Sequence, residues 1–226
     1  MKFFKFGVIG FIILNFIALG CAKAPGQFSD TPSRSLSKFD QELFARATLH
    51  QQKGQIDSAI VLWNKFLQRN PNSFEARNNL GLLYYANDEI VQAINHFNQG
   101  LKLRPRENQL KMNLVRALKV QSAILEENRE YDEAIAGLSR IVELSPAKAQ
   151  EAIERQIEAL EDQVFKQVKK SDSMGEYQKF LKKYPRSPGN SDEARLWIEN
   201  KFKAKKMGNQ ESLSSDFQPS LATESR

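Results

Sequence analysis

One thiol, two imidazoles and several helix-spaced carboxylates are the side chains here with reactive chemistry to offer. Cys21 is the sole cysteine, so neither an intramolecular disulfide nor a cysteine-based metal site is available. His50 and His96 lie far apart, with no HExxH pattern and no carboxylate spaced to make either a ligand pair, which points to structural or surface roles. Glu126 and Glu127, and Glu151, Glu154 and Glu158, have the spacing of a solvated helix face rather than of an acid-base pair. Glycine-rich phosphate loops and a GxSxG nucleophile turn are both absent. The residues therefore argue against an enzyme, a small-molecule substrate and a resident cofactor or metal.

What informs about Cys21 is its place. It closes a segment that starts Met1-Lys-Phe-Phe-Lys5 and runs uncharged from Phe6 to Leu19. A basic start, an apolar run of about 14 residues and a small residue before the break describe a secretory signal, and the run is short for a span of about 20 residues. An uncleaved signal anchor is the alternative, which Gly7, Gly10 and Asn15 weaken. Ile17-Ala18-Leu19-Gly20-Cys21 resembles the lipobox of bacterial lipoproteins, with Ala18 where that family usually has Leu. The resemblance implies a diacylglyceryl group on the Cys21 thiol, cleavage before it, and, from Ala22 in place of Asp, sorting to the outer membrane on its periplasmic side if the cell has two membranes. Two or three acyl chains anchor almost permanently, whereas one is marginal. The covalent lipid is the only non-protein group expected. Loss of Lys2 and Lys5 lowers the formal charge from +6 to +4.

Positioning elements emerge from self-comparison. A shift of 34 lays Leu43, Ala47, Ala59, Trp63, Leu67 and Pro71 against Arg77, Gly81, Ala93, Phe97, Leu101 and Pro105. Two helices cross closely only where side chains are small, the role of Ala47 or Gly81 on the first and Ala59 or Ala93 on the second. Trp63 and Phe97 fill the space beside the crossing, Lys53-Gly54-Gln55 and Asn87-Asp88-Glu89 supply turns, and Pro71 and Pro105 end the second helices. The stretch Asn79-Leu80-Gly81-Leu82-Leu83-Tyr84-Tyr85 to Pro105 resembles the tetratricopeptide repeat.

A third copy is stretched: Ala134, Leu138 and Pro146 follow Ala93, Phe97 and Pro105 by 41, which predicts seven extra residues, between Leu118 and Glu130, and a first helix from about Gln109 to Asn128. Ile153, Ile157, Leu160, Val164 and Val168 predict another long helix from Ala147 to about Lys170. Tyr177-x-x-Phe180-Leu181-x-x-Tyr184-Pro185-x-Ser187-Pro188, then Glu193-Ala194-x-x-Trp197-Ile198, resembles repeats of the barrel-assembly lipoprotein and of the periplasmic Tol-Pal coordinator. The expected fold class is all-α: a right-handed superhelical stack of helical hairpins, about four repeats plus a C-terminal helix. The expected divisions are a signal peptide at 1–20, lipidated cysteine and tether at 21–37, repeats at 38–206 and a polar disordered tail at 207–226.

Stacked hairpins leave their first helices lining a groove. The family resemblance places Phe44, Thr48, Asn78, Asn79, Leu82, Tyr85, Met112, Asn113, Arg116 and Lys119 on it. Asn79 and Asn113 recur 34 apart, and their amides suit either a peptide backbone or helix ends and water. The carboxylate-clamp variety needs Lys and Asn where Phe44 and Thr48 stand, so capture of a chaperone C-terminus is not expected.

Charge is uneven, with twelve basic and five acidic residues from Val164 to Lys206. That excess suits a solvated helix surface or an anionic one, and a secretion signal makes nucleic acid a poor partner. Two readings follow. In the first, a membrane-anchored scaffold holds an envelope protein or peptide in its groove, as similar lipoproteins do in envelope assembly, secretion and pilus biogenesis. In the second, a structural envelope component binds lipid or cell-wall polymer through its basic C-terminal helices, and neutralising Lys179, Lys182 and Lys183 abolishes envelope retention of a non-lipidated form.

Overall fold

The computed structural model describes residues 36–215, with side chains to position 207; the signal segment, Cys21, most of the tether and the last eleven residues lie outside them. Nine α-helices make up the described residues: α1 Lys38–Gln52, α2 Ile56–Arg69, α3 Phe74–Ala86, α4 Ile90–Leu103, α5 Asn108–Glu127, α6 Tyr131–Leu144, α7 Ala147–Ser171, α8 Met174–Lys183 and α9 Asn190–Ser215. Consecutive helices pack as hairpins, and the fold is the expected all-α repeat stack. None of these helices is long and apolar enough to cross a membrane. The chain forms two compact units that divide between Ala117 and Leu118, inside α5, where the sequence reading has one repeat domain.

Hairpin turns repeat a single backbone device. Gly54, Asp88 and Arg129 all have positive φ, of 69°, 60° and 64°. In each turn the next amide reaches back five residues, Gln55 to the His50 carbonyl, Glu89 to Tyr84 and Glu130 to Leu125, at 2.8–2.9 Å. A left-handed residue there satisfies carbonyls the first helix would otherwise leave open. Glycine adopts that shape freely, whereas Asp88 and Arg129 hold it against their own Cβ.

In the first unit the crossings are as tight as the small residues suggest. Ala47, Ala59 and Ala93 are fully buried. A Cβ on Gly81 would sit 2.4 Å from the Phe97 ring, so no other residue fits there without displacing that ring. Around the first crossing Phe44 meets Trp63 edge-on at 4.8 Å and Phe66 at 5.5 Å, and the Trp63 indole donates to Gln51 at 3.1 Å. Ser37 caps α1 and Ser73 caps α3, each accepting a backbone amide three residues on. Asp40 is buried at the start of α1, where Arg69 from the end of α2 donates to it.

In the third hairpin α5 has 20 residues where α3 has 13, a lengthening of seven that keeps the helix continuous. The small residue of this crossing is Ser122, 41 after Gly81, rather than Val115 at 34. Its hydroxyl lies 2.4 Å from where a Cβ on Gly137 would stand. The register of α5 against α6 thus follows the same offset of 41 as Ala134 and Leu138, and the extra turns precede Ser122.

The second unit closes on an aromatic ladder. Phe165 of α7 packs on Phe180 at 4.8 Å and on Tyr177 at 5.9 Å, and Tyr177 stacks flat on Trp197 of α9 at 3.9 Å. Buried Tyr184 donates its hydroxyl to Asp132 of α6 and accepts at its carbonyl from Ser191 at 2.7 Å. The final helix runs to Ser215, past Gly208 and beyond the expected end near Lys206. One internal glycine costs only about 1 kcal/mol, and the residues that follow it contain no proline before Pro219.

Candidate functional site

The candidate residues occupy the first helices α1, α3 and α5, and the structure sorts them by what their polar atoms already do. Phe44 is committed to the aromatic cluster with Trp63 and Phe66. Thr48 donates its hydroxyl to the Phe44 carbonyl at 2.9 Å, the back-bond that satisfies a helical threonine internally.

Asn113 is the one buried residue of the ten. It is 2 % exposed, its amide donates to Asn78 at 2.8 Å, and its carbonyl accepts from Gln109 at 3.3 Å. Asn113 is therefore spent on joining α5 to α3, whereas half-buried Asn78 gives that bond only its carbonyl oxygen and keeps its NH2 group unbonded among the described residues. The recurrence of Asn79 and Asn113 at 34 does not translate into equal environments, because Asn113 turns to Asn78, 35 positions back. Gln109, one turn before Asn113, is the member that sequence reading missed; its spacing of four is the signal that was available.

What stays open is Asn79, Leu82, Tyr85, Met112 and Arg116. Asn79 is half-buried and makes no side-chain hydrogen bond among the described residues. Leu82 and Tyr85 are half-buried on the following turns of α3. Met112 is 59 % exposed and Arg116, one turn on, is exposed as well. Burial raises the Tyr85 phenol above its ordinary range, Arg116 opposes that shift and Asp88 adds to it. Tyr85 thus remains a neutral donor at any physiological pH, with a cation beside it. Together these five present one free amide, apolar surface, a phenol and a guanidinium. Lys119 is exposed on α5 past the division at Ala117, in the second unit.

Among the described residues no three His, Cys, Asp or Glu side chains gather to hold a metal ion. The imidazole of His96 lies on the Tyr84 ring at 5.2 Å, nearly parallel, with its Nδ1 buried and unbonded. Burial, and then Arg77, hold it below the usual histidine range, so it is neutral at pH 7. The Nδ1 of His50 is likewise buried without a partner. A cavity of about 380 Å³ sits at the turn between α4 and α5, lined by Leu103, Arg104, Pro105, Arg106 and Glu107, and contains none of the candidate residues.

Two tetratricopeptide-repeat family models match, one over residues 49–88 and the other over 74–107. No curated protein sequence matches the chain. Similar solved structures include the Yersinia enterocolitica type III secretion chaperone SycD with a peptide of the translocator YopD, at 18 % identity and TM-score 0.39, covering 57 % of this chain and 96 % of that one. The protein MamA aligns at 18 % identity and TM-score 0.40, covering 83 % and 100 % respectively. The TPR2B domain of yeast Sti1, in complex with an Hsp70 component, aligns at 16 % and 0.37, covering 55 % and 94 %.

Proposed function

We propose that this chain is a membrane-anchored tetratricopeptide-repeat scaffold that holds a segment of an envelope protein against α3 and α5 of its first unit and catalyses no reaction. The carrying observation is the contrast between two asparagines 34 residues apart on first helices. Asn113 is buried and satisfied, whereas Asn79 has an unused amide on the helix that carries Leu82 and Tyr85, and Tyr85 has Arg116 of α5 near it. A half-buried amide without a partner is best satisfied by the backbone of an incoming peptide. Arg116 then favours an acidic or carbonyl-rich stretch of that peptide, and Met112, unbranched and polarizable, adapts to its apolar side chains.

Cys21 at the end of an apolar leader supports the anchor. An acylated N-terminus would keep the repeats in the cell envelope, on the periplasmic side of the outer membrane, where partners in assembly, secretion or pilus biogenesis are available.

Crosslinking in intact cells tests the binding. The natural chain should capture one or a few proteins that an Asn79→Ala, Tyr85→Ala, Arg116→Ala variant loses. Equal capture by both would remove this face from consideration. Separately, Cys21→Ser should move the protein to the soluble fraction, and its persistence in membranes washed with alkali would rule out the acyl anchor.

A further inference from the structure

The last helix carries a surface that the peptide-binding reading does not use. Within the second unit α9 lies along α7, tied by Asn190 to Asp162 at 2.7 Å, by Glu193 to Lys169 at 3.1 Å and finally by Lys201 to Asp172 at 3.0 Å. Asp172 is the residue that ends α7, so α9 continues past its neighbour for about 14 residues, or roughly 21 Å. Every residue from Glu199 to Met207 is exposed. That protruding end begins Phe202-Lys203-Ala204-Lys205-Lys206-Met207, with Phe202 57 % and Met207 64 % exposed.

Ion pairing shows where charge is left over. All five acidic residues between Val164 and Lys206 are answered within the unit: Asp172 by Lys201, Glu176 by Lys179, Asp192 by Arg195, Glu193 by Lys169 and Glu199 by Lys203. Lys183 is answered by Asp132. Lys166, Lys170, Lys182, Arg186, Lys205 and Lys206 make no ion pair among the described residues. Neutralising Lys179 and Lys183, as the sequence alone suggests, would therefore disturb internal pairs. The uncommitted charge nearest to exposed apolar side chains is Lys205 and Lys206.

We propose that the protruding end of α9, from Phe202 to Met207, docks on an anionic lipid surface, its lysines against headgroup phosphates and Phe202 and Met207 in the headgroup boundary. Lysines interleaved with exposed apolar side chains suit such a boundary, because the long stems lie along apolar material while the ammonium groups reach the phosphates. A second copy of the chain would bring Lys205 and Lys206 against their like, which disfavours self-pairing. This inference rests on α9 alone and survives failure of the peptide-binding reading.

The test uses the chain from Ala22 onward, which contains every described helix, sedimented with vesicles of phosphatidylcholine alone or with added phosphatidylglycerol. Binding is expected only with the anionic lipid and should weaken as salt rises. A Lys205→Gln, Lys206→Gln variant should bind about 25-fold more weakly, at roughly fivefold per lysine. Phe202→Ala should also lose affinity, whereas Asn79→Ala should not. Unchanged binding by the double variant, equal binding to both vesicles, or sedimentation analysis showing a dimer that Phe202→Ala dissolves would each overturn the proposal. Circular dichroism confirms that the variants retain their helices.

Discussion

The two units solve the same problem with different materials. In the first, two helix crossings obey one template, with alanine or glycine where backbones approach and an aromatic ring beside them, and the ion pairs among the described residues include Arg46 to Glu42 and Arg69 to Asp40. In the second, the spacing is stretched, Ser122 and Gly137 make the close crossing, a ladder of packed rings closes the end, and eight ion pairs among the described residues cover the surface. Most of those pairs are too exposed to add much stability. The lesson is that helical hairpins need a consistent crossing more than a consistent sequence. The family models accordingly match 49–107, where the crossing and the sequence agree.

Each unit holds one of the two tryptophans, Trp63 in the first and Trp197 in the second, so fluorescence of single-tryptophan variants follows each separately. Phe97→Ala, which empties the space under Gly81, should destabilise the first unit by about 3–5 kcal/mol in urea titrations read at Trp63. An equal shift at Trp197 would show that the units unfold as one and erase the contrast. Gly81→Val comes next, at about 1–3 kcal/mol, because the Phe97 ring must move aside. Tyr184→Phe, read at Trp197, should cost about 1–2 kcal/mol by taking one donor from Asp132.

Acid should separate the units further. His96 is held below its usual range in the folded state, so the unfolded chain takes up its proton first, and the first unit loses stability as pH falls below about 6.5. Replacing His96 with Gln should flatten that slope. Burial works to raise the Asp132 carboxyl, yet hydrogen bonds from Lys183 and Tyr184 outweigh it and leave it low. Its contribution is complete above about pH 4 and fades below that, as the folded carboxylate is finally protonated. Thermal melts at pH 7, 5.5 and 3.5 should show the Trp63 transition falling first. The smallest effect expected is a gain: Arg129→Gly should raise stability by up to about 1 kcal/mol, since glycine adopts the positive φ without strain.

Much of this architecture was legible because it depends on residue size. Ala47, Gly81, Ala59 and Ala93 announce the crossings, and Pro71, Pro105 and Pro146 the ends of second helices, since few other residues serve there. The third crossing was harder: Ser122 is small without being glycine or alanine, and Val115 satisfied the shorter spacing. Arg129 gives no hint of a left-handed turn, which the surrounding helices impose. At the candidate site, sequence placed ten residues on one face but had no means of telling a free amide from a spent one. Asn78 and Asn113 differ from Asn79 only in where neighbouring helices direct them, which is decided by tertiary packing.

That asparagine pair between α3 and α5 also acts as a check on alignment. Sliding α5 by one residue turns its side chains by about 100° and would leave the buried Asn113 amide without its partner, an error that a leucine there would forgive. The Asn78–Asn113 bond, at 2.8 Å, thus trades some adhesive strength for rejection of misassembled neighbours, so that Asn79 and Arg116 are always delivered at one fixed offset.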